Sequence, residues 1–463
     1  MKRLILLLML CTRVATGALS DDTEWEVRTT GNDGNGGGFN TASAGVDRSQ
    51  ADAAFATLTT ASAVHTTTTQ LNVDSGDYTV SADDVGNLFQ ATSGDCTAGF
   101  YEITAADVGN NRWTVDRALG TSGQTCAGAM GGGLATLTKV AALVANNHIV
   151  WIKSGTYTET LTTTVAASSR QLWIQWRGYL SSHGDAPAGT DRPLIDGEST
   201  RANCIVVGHQ YNYFAHLRAT GATSHCFNNT GVNSVTWFNV QASACGGAGF
   251  RLANSFNTAY IDCESMVNTG AGFQTDGGSS AIQRCHGCVA ADNGGDGFNV
   301  TGGLKVSFTI SEGNTGNGFE LIDEAINCTA DGNGDAGFRQ LNNTRQPFYV
   351  NNIASNNGTV GFVGGTSSSG GANVLLATNC YNNTTACLSL MDDDAHDLVT
   401  VLDPQYVDAA GNNFEVGANM KAIGAPGTLH AGQSYIDLGA FQREEPAGGG
   451  GGGVPVIGGG VVR

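Results

Sequence analysis

Asp262 and Glu264 stand two residues apart, and Asn239 and Gln241 take the same two places 23 residues earlier. On a β-strand, side chains two apart share a face and lie about 6.5–7 Å from each other. Two carboxylates at that separation suit inverting glycoside hydrolysis, in which a water sits between acid and base. Carboxylates beside amides also hold sugar hydroxyls or a hard cation. These four residues form the candidate glycan-binding group. A second acidic concentration is Asp392-Asp393-Asp394-Ala395-His396-Asp397. Strand alternation would part its members, so only a loop could gather Asp392 and Asp394 around Ca²⁺. A solvated loop is the simpler reading, and no other cofactor is expected. Cys285-His286-Gly287-Cys288 matches a short metal-ligand spacing once, but alternation would point its two cysteines opposite ways. His209, His216, His225 and His286 have no partner that the sequence identifies.

What could hold such groups in register is a repeat. Gly-Phe recurs at Phe250, Phe273, Phe298, Phe319, Phe338 and Phe362, in steps of 23, 25, 21, 19 and 24 residues. Five places before the last five stand Asn268, Asn293, Asn314, Asn333 and Asn357, with Cys245 in the first copy. A fixed corner with variable loops at a period near 22 marks a solenoid, one coil per copy. Ten and eight before each Phe the residues are small, from Val240 and Ala242 to Asn352 and Ala354. The file between them is mixed: Gln241, Glu264, Val289, Ile310, Thr329 and Ile353. The small files are expected inside and the mixed file outside, with parallel strands about 4.8 Å apart. Glycine before Phe fits a corner with positive φ or close backbone approach, and Asn tolerates the left-handed region. Gly, Thr, Asn and Ser crowd every unit, which excludes helical repeats, and leucine is too scarce for a leucine-rich horseshoe.

The 463 residues include 66 Gly, 7 Pro and 12 Cys, with 41 acidic against 22 basic side chains. Nucleic acid, whose phosphates need clustered Lys and Arg, is an excluded partner. Simple electrostatic docking on acidic polymers or membranes is disfavoured too. Lys2-Arg3, the apolar run Leu4 to Leu10 and Ala15-Thr16-Gly17 read as an export signal. No stretch is long enough to span a bilayer. The cysteines fit an oxidising compartment. Cys96 and Cys126, flanking a hairpin-like segment, form one expected disulfide. Cys204 and Cys226, at matching corners of neighbouring coils, form the other.

The chain thus divides into a signal peptide (1–19), a small β-rich module (20–132), the solenoid (133–400), a C-terminal cap (401–445) and a Gly-rich flexible tail (446–463). In the module, Gln70-Leu71-Asn72-Val73 and Arg112-Trp113-Thr114-Val115-Asp116 alternate as short strands. Leu134, Leu137, Val140, Ala141 and Val144 follow at helical spacing and predict a helix that closes the open end of the coil stack.

Gly155-Thr156-Tyr157-Thr158-Glu159 after that helix, with the Asn-x-Gly-x-Gly-Phe corners, resembles the first coil and generic repeat of the pectate-lyase-like superfamily of right-handed parallel β-helix proteins. Asp403-Pro404 and Asp437-Leu438-Gly439-Ala440-Phe441 are similar to the end segment of exported bacterial β-helix proteins. Trp25-Glu26-Val27-Arg28-Thr29-Thr30-Gly31-Asn32-Asp33 resembles starts of β-helix proteins from bacteria and their viruses. The resemblance implies an all-β, single-stranded right-handed β-helix with an N-terminal capping helix. It implies no one activity, because lyases, hydrolases, esterases, adhesins and phage spikes share the fold. The Gly-His-Gly and Arg-x-Lys motifs of the galacturonan hydrolases are missing, and only Gly208-His209-Gln210 comes near. Lys305 is the only lysine between Lys153 and Lys421, and no Asp trio surrounds an arginine as in pectate lyases.

Three functions follow as expectations. The first is a secreted or surface-displayed rigid element, extracellular, binding a polysaccharide or cell-surface glycan. The second is a polysaccharide lyase or glycoside hydrolase with a non-standard site. The third is a phage receptor-binding fibre or tailspike on the virion, which would be a homotrimer.

Overall fold

The computed structural model describes residues 19–60, 63–65, 67–276, 283–301, 303–341, 348–364, 374–376, 378–389, 399–400 and 403–406. The export signal, nearly all of the expected cap, the tail, and Asp392 and Asp394 lie outside the described residues. The chain forms two compact units, Met1–Ala135 and Thr136–Arg463.

In the first unit the alternating runs become the antiparallel strands Gln70–Val73 and Arg112–Val115, as expected. Seven strands make one sheet. Its strand Gln124–Met130 pairs with Ala56–Leu58, with Ala63–His65 and also with Leu88–Gly94. The sheet therefore returns on itself and leaves few open edges. Leu71, Phe89, Ile103, Trp113 and Met130 fill it. The buried Asp84 carboxylate accepts from the Trp113 indole (2.9 Å) and the Tyr78 hydroxyl (2.6 Å), so a polar group in this core is satisfied. Cys96 and Cys126 form the expected disulfide, with Cα atoms 5.3 Å apart.

In the second unit the helical spacing yields only Leu137–Ala141, five residues. Leu134 is outside it, its N–H drawn to the Glu26 carbonyl at 2.9 Å, in place of a helical turn. Glu159 holds the helix start, accepting from Leu137 N (2.7 Å) and Thr138 N (2.9 Å). Beyond it the chain winds into three parallel sheets. One runs from Ile149–Lys153 to Val374–Leu376, the second has 11 strands from Thr156–Tyr157 to Val399–Thr400, and the third has 10 from Leu161–Thr162 to Ala386–Ser389.

The register is the one the repeat requires. Phe250, Phe273, Phe298, Phe319, Phe338 and Phe362 pair in file. Their rings stack at 4.8, 4.7, 5.0, 4.7 and 4.9 Å, nearly parallel. The file starts one coil earlier, at Phe227. Beside it the asparagines form a buried amide chain. Asn268 Nδ2 donates to Asn293 Oδ1, Asn293 to Asn314 and Asn314 to Asn333, each at 2.9 Å, then Asn333 to Asn357 at 3.0 Å and on to Asn383 at 2.8 Å. These asparagines are not the left-handed residues. That conformation falls on the residue before each, such as Val267, Asp292 and Asn356. The Asn side chain must turn inward to meet its neighbours, so its predecessor makes the bend. The repeated glycine likewise answers to crowding and not to φ: a Cβ on Gly297 would lie 2.0 Å from Ser311 Oγ.

The small files are buried as expected. The mixed file differs: Glu264, Ile310, Thr329 and Ile353 on the outer face of the second sheet are buried too. Other chain segments pack there. Arg192 reaches Glu264, and the Tyr406 hydroxyl meets Ser355 Oγ at 2.8 Å. Cys226 bonds Cys245, not Cys204, which is a free buried thiol. Same-file Cβ vectors run side by side, whereas a corner diagonal lets two sulfurs converge. Cys285 and Cys288 are also bonded: Gly287, at φ 65°, breaks the alternation between them.

Candidate functional site

The outer face of the first sheet carries exposed chemistry. One outward file reads Tyr213, Thr236, Ala259, Arg284, Lys305 and Glu324. The file beside it, two residues along each strand, reads Ala215, Phe238, Ile261, His286, Ser307 and Ile326. Ala259 is short, and its gap opens two adjoining clefts that share Ala259 and Arg284. One, about 340 Å³, is lined by Arg170, Trp173 and Thr236; the other, about 480 Å³, by His286, Lys305, Ser307 and Glu324. Six coil steps separate Ile174–Tyr179 from Glu324–Ile326, roughly 29 Å at ~4.8 Å each.

The charge in this groove runs against that of the chain. Lys305 pairs with Glu324. Among the described residues Arg284 and Arg170 make no ion pair, and Arg284 is exposed. His286 Nδ1 and Ser307 Oγ are 2.9 Å apart on adjacent coils. Phe308, at φ 52°, packs its edge on the His286 ring with centroids 5.3 Å apart. Among the described residues no three His, Cys, Asp or Glu gather where they could hold a metal ion, and no helix is long and apolar enough to cross a membrane.

The four residues singled out by spacing are placed differently from expectation. Asp262 is not in a strand. It is a corner residue at φ 51° between Ala259–Ile261 and Glu264–Met266, in file with His216, Asn239 and Gly287. Asp, Asn and His enter the left-handed region more readily than most side chains, so the corner selects them. Glu264 is only 8% exposed. It accepts from Gln241 Nε2 at 2.8 Å and faces the buried Arg192 guanidinium at 3.5 Å. Its oxygens are engaged inside the protein. Asn239 Nδ2 lies 2.9 Å from His216 Nδ1. Burial, with Arg192 and Arg177 nearby, pushes His216 down to about 4, so the ring is neutral at pH 7 and can accept that bond. Asp262 is partly exposed at its corner, with a carboxylate oxygen beside Gly287 of the next coil. Burial raises its carboxyl, and His286 opposes the rise.

The groove residues had a signal of their own. Arg284 and Lys305 each stand fourteen places before a ladder phenylalanine, and His286 and Ser307 each stand twelve before. Counting back a further strand from the corner finds them.

No family model matches the sequence, and no curated protein matches it. Solved structures do match in three dimensions. A pectate lyase, Pel9A, aligns over 67% of this chain and 92% of its own at 17% identity, with a TM-score of 0.50. The fold is the pectate-lyase-like right-handed β-helix. A rhamnogalacturonan lyase aligns over 60% of this β-helix protein and 86% of itself at 14% identity (TM-score 0.37). An alginate lyase from Paenibacillus sp. aligns over 58% and 96% at 12% identity (TM-score 0.34).

Proposed function

We propose that this β-helix is an extracellular protein that binds an anionic polysaccharide along the outer face of its first sheet. The observation that carries the reading is the groove's charge: unpaired Arg284 and Arg170 with Lys305, in a chain of net charge −19. The net charge does not forbid it. Charges more than a Debye length away, about 8 Å at physiological salt, are screened, so the local field decides. A groove that crosses coil after coil at one level suits a linear polymer, and Trp173 in its lining offers an apolar face to a sugar ring. The disulfides fit an exported protein. The helix Leu137–Ala141 would cover the first coil.

Retention on a polyuronate and on the same polymer with its carboxyls reduced to alcohols tests this. Each charge-assisted contact is worth about 1.5–3 kcal/mol, so Arg284→Ala with Lys305→Ala should weaken retention at least roughly tenfold. The melting temperature should be unchanged, because both side chains are outward. Equal retention of the two polymers, or a double variant that binds as before, ends the reading. Unsaturated ends or new reducing ends released from the polyuronate would add lyase or hydrolase turnover to binding.

A further inference from the structure

We propose that Ser307 and His286 form a nucleophile and general-base pair that cleaves O-acyl esters, with Asp262 as the positioning carboxylate. Three consecutive coils supply the three groups. Asp262 turns the corner of one coil, His286 ends the first-sheet strand of the next, and Ser307 ends that of the third. The parallel register sets His286 directly beside Ser307, and the 2.9 Å between Nδ1 and Oγ is the reach a base needs to take the hydroxyl proton. Phe308 holds the imidazole from the side. His286 is exposed and both residues line the 480 Å³ cleft, so a substrate can approach the hydroxyl.

The step balances. With Nε2 protonated, Nδ1 is the acceptor. Ser307 Oγ gives its proton to Nδ1 and bonds to the ester carbonyl carbon, whose π electrons move to oxygen. The oxyanion re-forms the carbonyl, the sugar alkoxide leaves, and it takes the proton from Nδ1. Water then repeats the sequence on the acyl-serine, giving the free carboxylic acid and restoring the hydroxyl. Arg284 is the diagonal cross-strand neighbour of Ser307. Such neighbours lie about 7–8 Å apart at Cα, which a guanidinium spans, so this unpaired cation can meet the oxyanion. The imidazolium formed midway faces Asp262 from the preceding coil, Arg284 on its own strand and Lys305 on the next. Asp262 favours it, as does Glu324 in the same cleft, whose charge is shared with Lys305. The choice of an acylated polysaccharide as substrate rests on the groove reading above; the nucleophile does not.

Probe labelling, ester hydrolysis and polyuronate retention, all on the full chain, decide. A fluorophosphonate probe with peptide mass spectrometry should label Ser307 in the parent protein and not in Ser307→Ala or His286→Ala. p-Nitrophenyl acetate hydrolysis should fall at least a hundredfold in either variant. Asp262→Asn should slow it roughly tenfold through kcat with KM unchanged, and Asp262→Glu should restore part of the rate, which a purely structural aspartate would not do. The melting temperature of Ser307→Ala should match that of the parent protein, which shows that the variant folds. Retention without probe labelling, or ester hydrolysis that survives Ser307→Ala, overturns the proposal and leaves the groove reading intact. Labelling without retention supports the nucleophile and removes the polysaccharide as its substrate.

Discussion

Asn314→Leu is expected to cost the β-helix more stability than any surface change. The side chain is 1% exposed. Its Nδ2 donates to Ala290 O (3.0 Å), Ser311 Oγ (3.0 Å) and Asn333 Oδ1 (2.9 Å), and its Oδ1 accepts from Asn293 N (3.0 Å) and Nδ2 (2.9 Å). Leucine has the same branching and the same number of side-chain heavy atoms, but its two methyl groups are bulkier than the amide oxygen and nitrogen and add some overpacking to the cost. What is lost is one bond at each of two buried donors, Asn293 N and Nδ2, and at each of three buried acceptors, Ala290 O, Ser311 Oγ and Asn333 Oδ1. Each such loss costs about 1–3 kcal/mol, which together makes roughly 4 kcal/mol or more. A coiled solenoid is stabilised coil to coil, so the break should also loosen cooperation between the segments on either side. Denaturant unfolding should show an earlier transition, and the curve should broaden or split. A midpoint within error of the parent protein would mean that the amide file does not hold the coils together.

Gly297→Ala should be nearly as damaging, although it adds a single methyl. The new Cβ would stand 2.0 Å from Ser311 Oγ, 2.8 Å from Asn314 Nδ2 and 2.8 Å from the Gly318 carbonyl. The Ser311 hydroxyl cannot swing away freely, because it donates to that same carbonyl at 2.9 Å and accepts from Asn314. Overpacking of this kind costs typically about 1–3 kcal/mol, and here it also pushes on the amide file. Gly332→Ala is the contrast. It meets no atom within 4 Å, but its φ is 62°, so its penalty is conformational strain alone, about 1 kcal/mol. Equal losses at the two positions would show that crowding is not what selects glycine before the phenylalanine.

How far the sequence could be read depended on whether neighbours in space were also neighbours in the repeat. The phenylalanine and asparagine files were legible because each coil contributes one residue at a fixed offset, and parallel pairing puts like over like. The closed sheet of the first unit was not, since its closure depends on Gln124–Met130 meeting strands that begin as far back as Ala56. The corner at Asp262 was missed because alternation was extended through a residue that leaves the strand. Glu264 looked available because its partner, Arg192, is a loop residue that lies outside the repeat. The groove was legible in principle, as Arg284 and Lys305 share an offset, but their distance from the corner hid it.

The amide file has a polarity. From Asn268 to Asn357 each Nδ2 gives a hydrogen to the Oδ1 one coil further on, and from Asn293 onward each also donates to a main-chain carbonyl of the coil before, so the amide-to-amide bonds all run one way. Aligned dipoles of this kind polarise one another in a water-free interior. A coil already wound therefore offers an unspent donor at its growing end, while the coil before it needs nothing more. Synthesis delivers the N-terminal coils first, so the direction of the amide file matches the order in which its coils emerge.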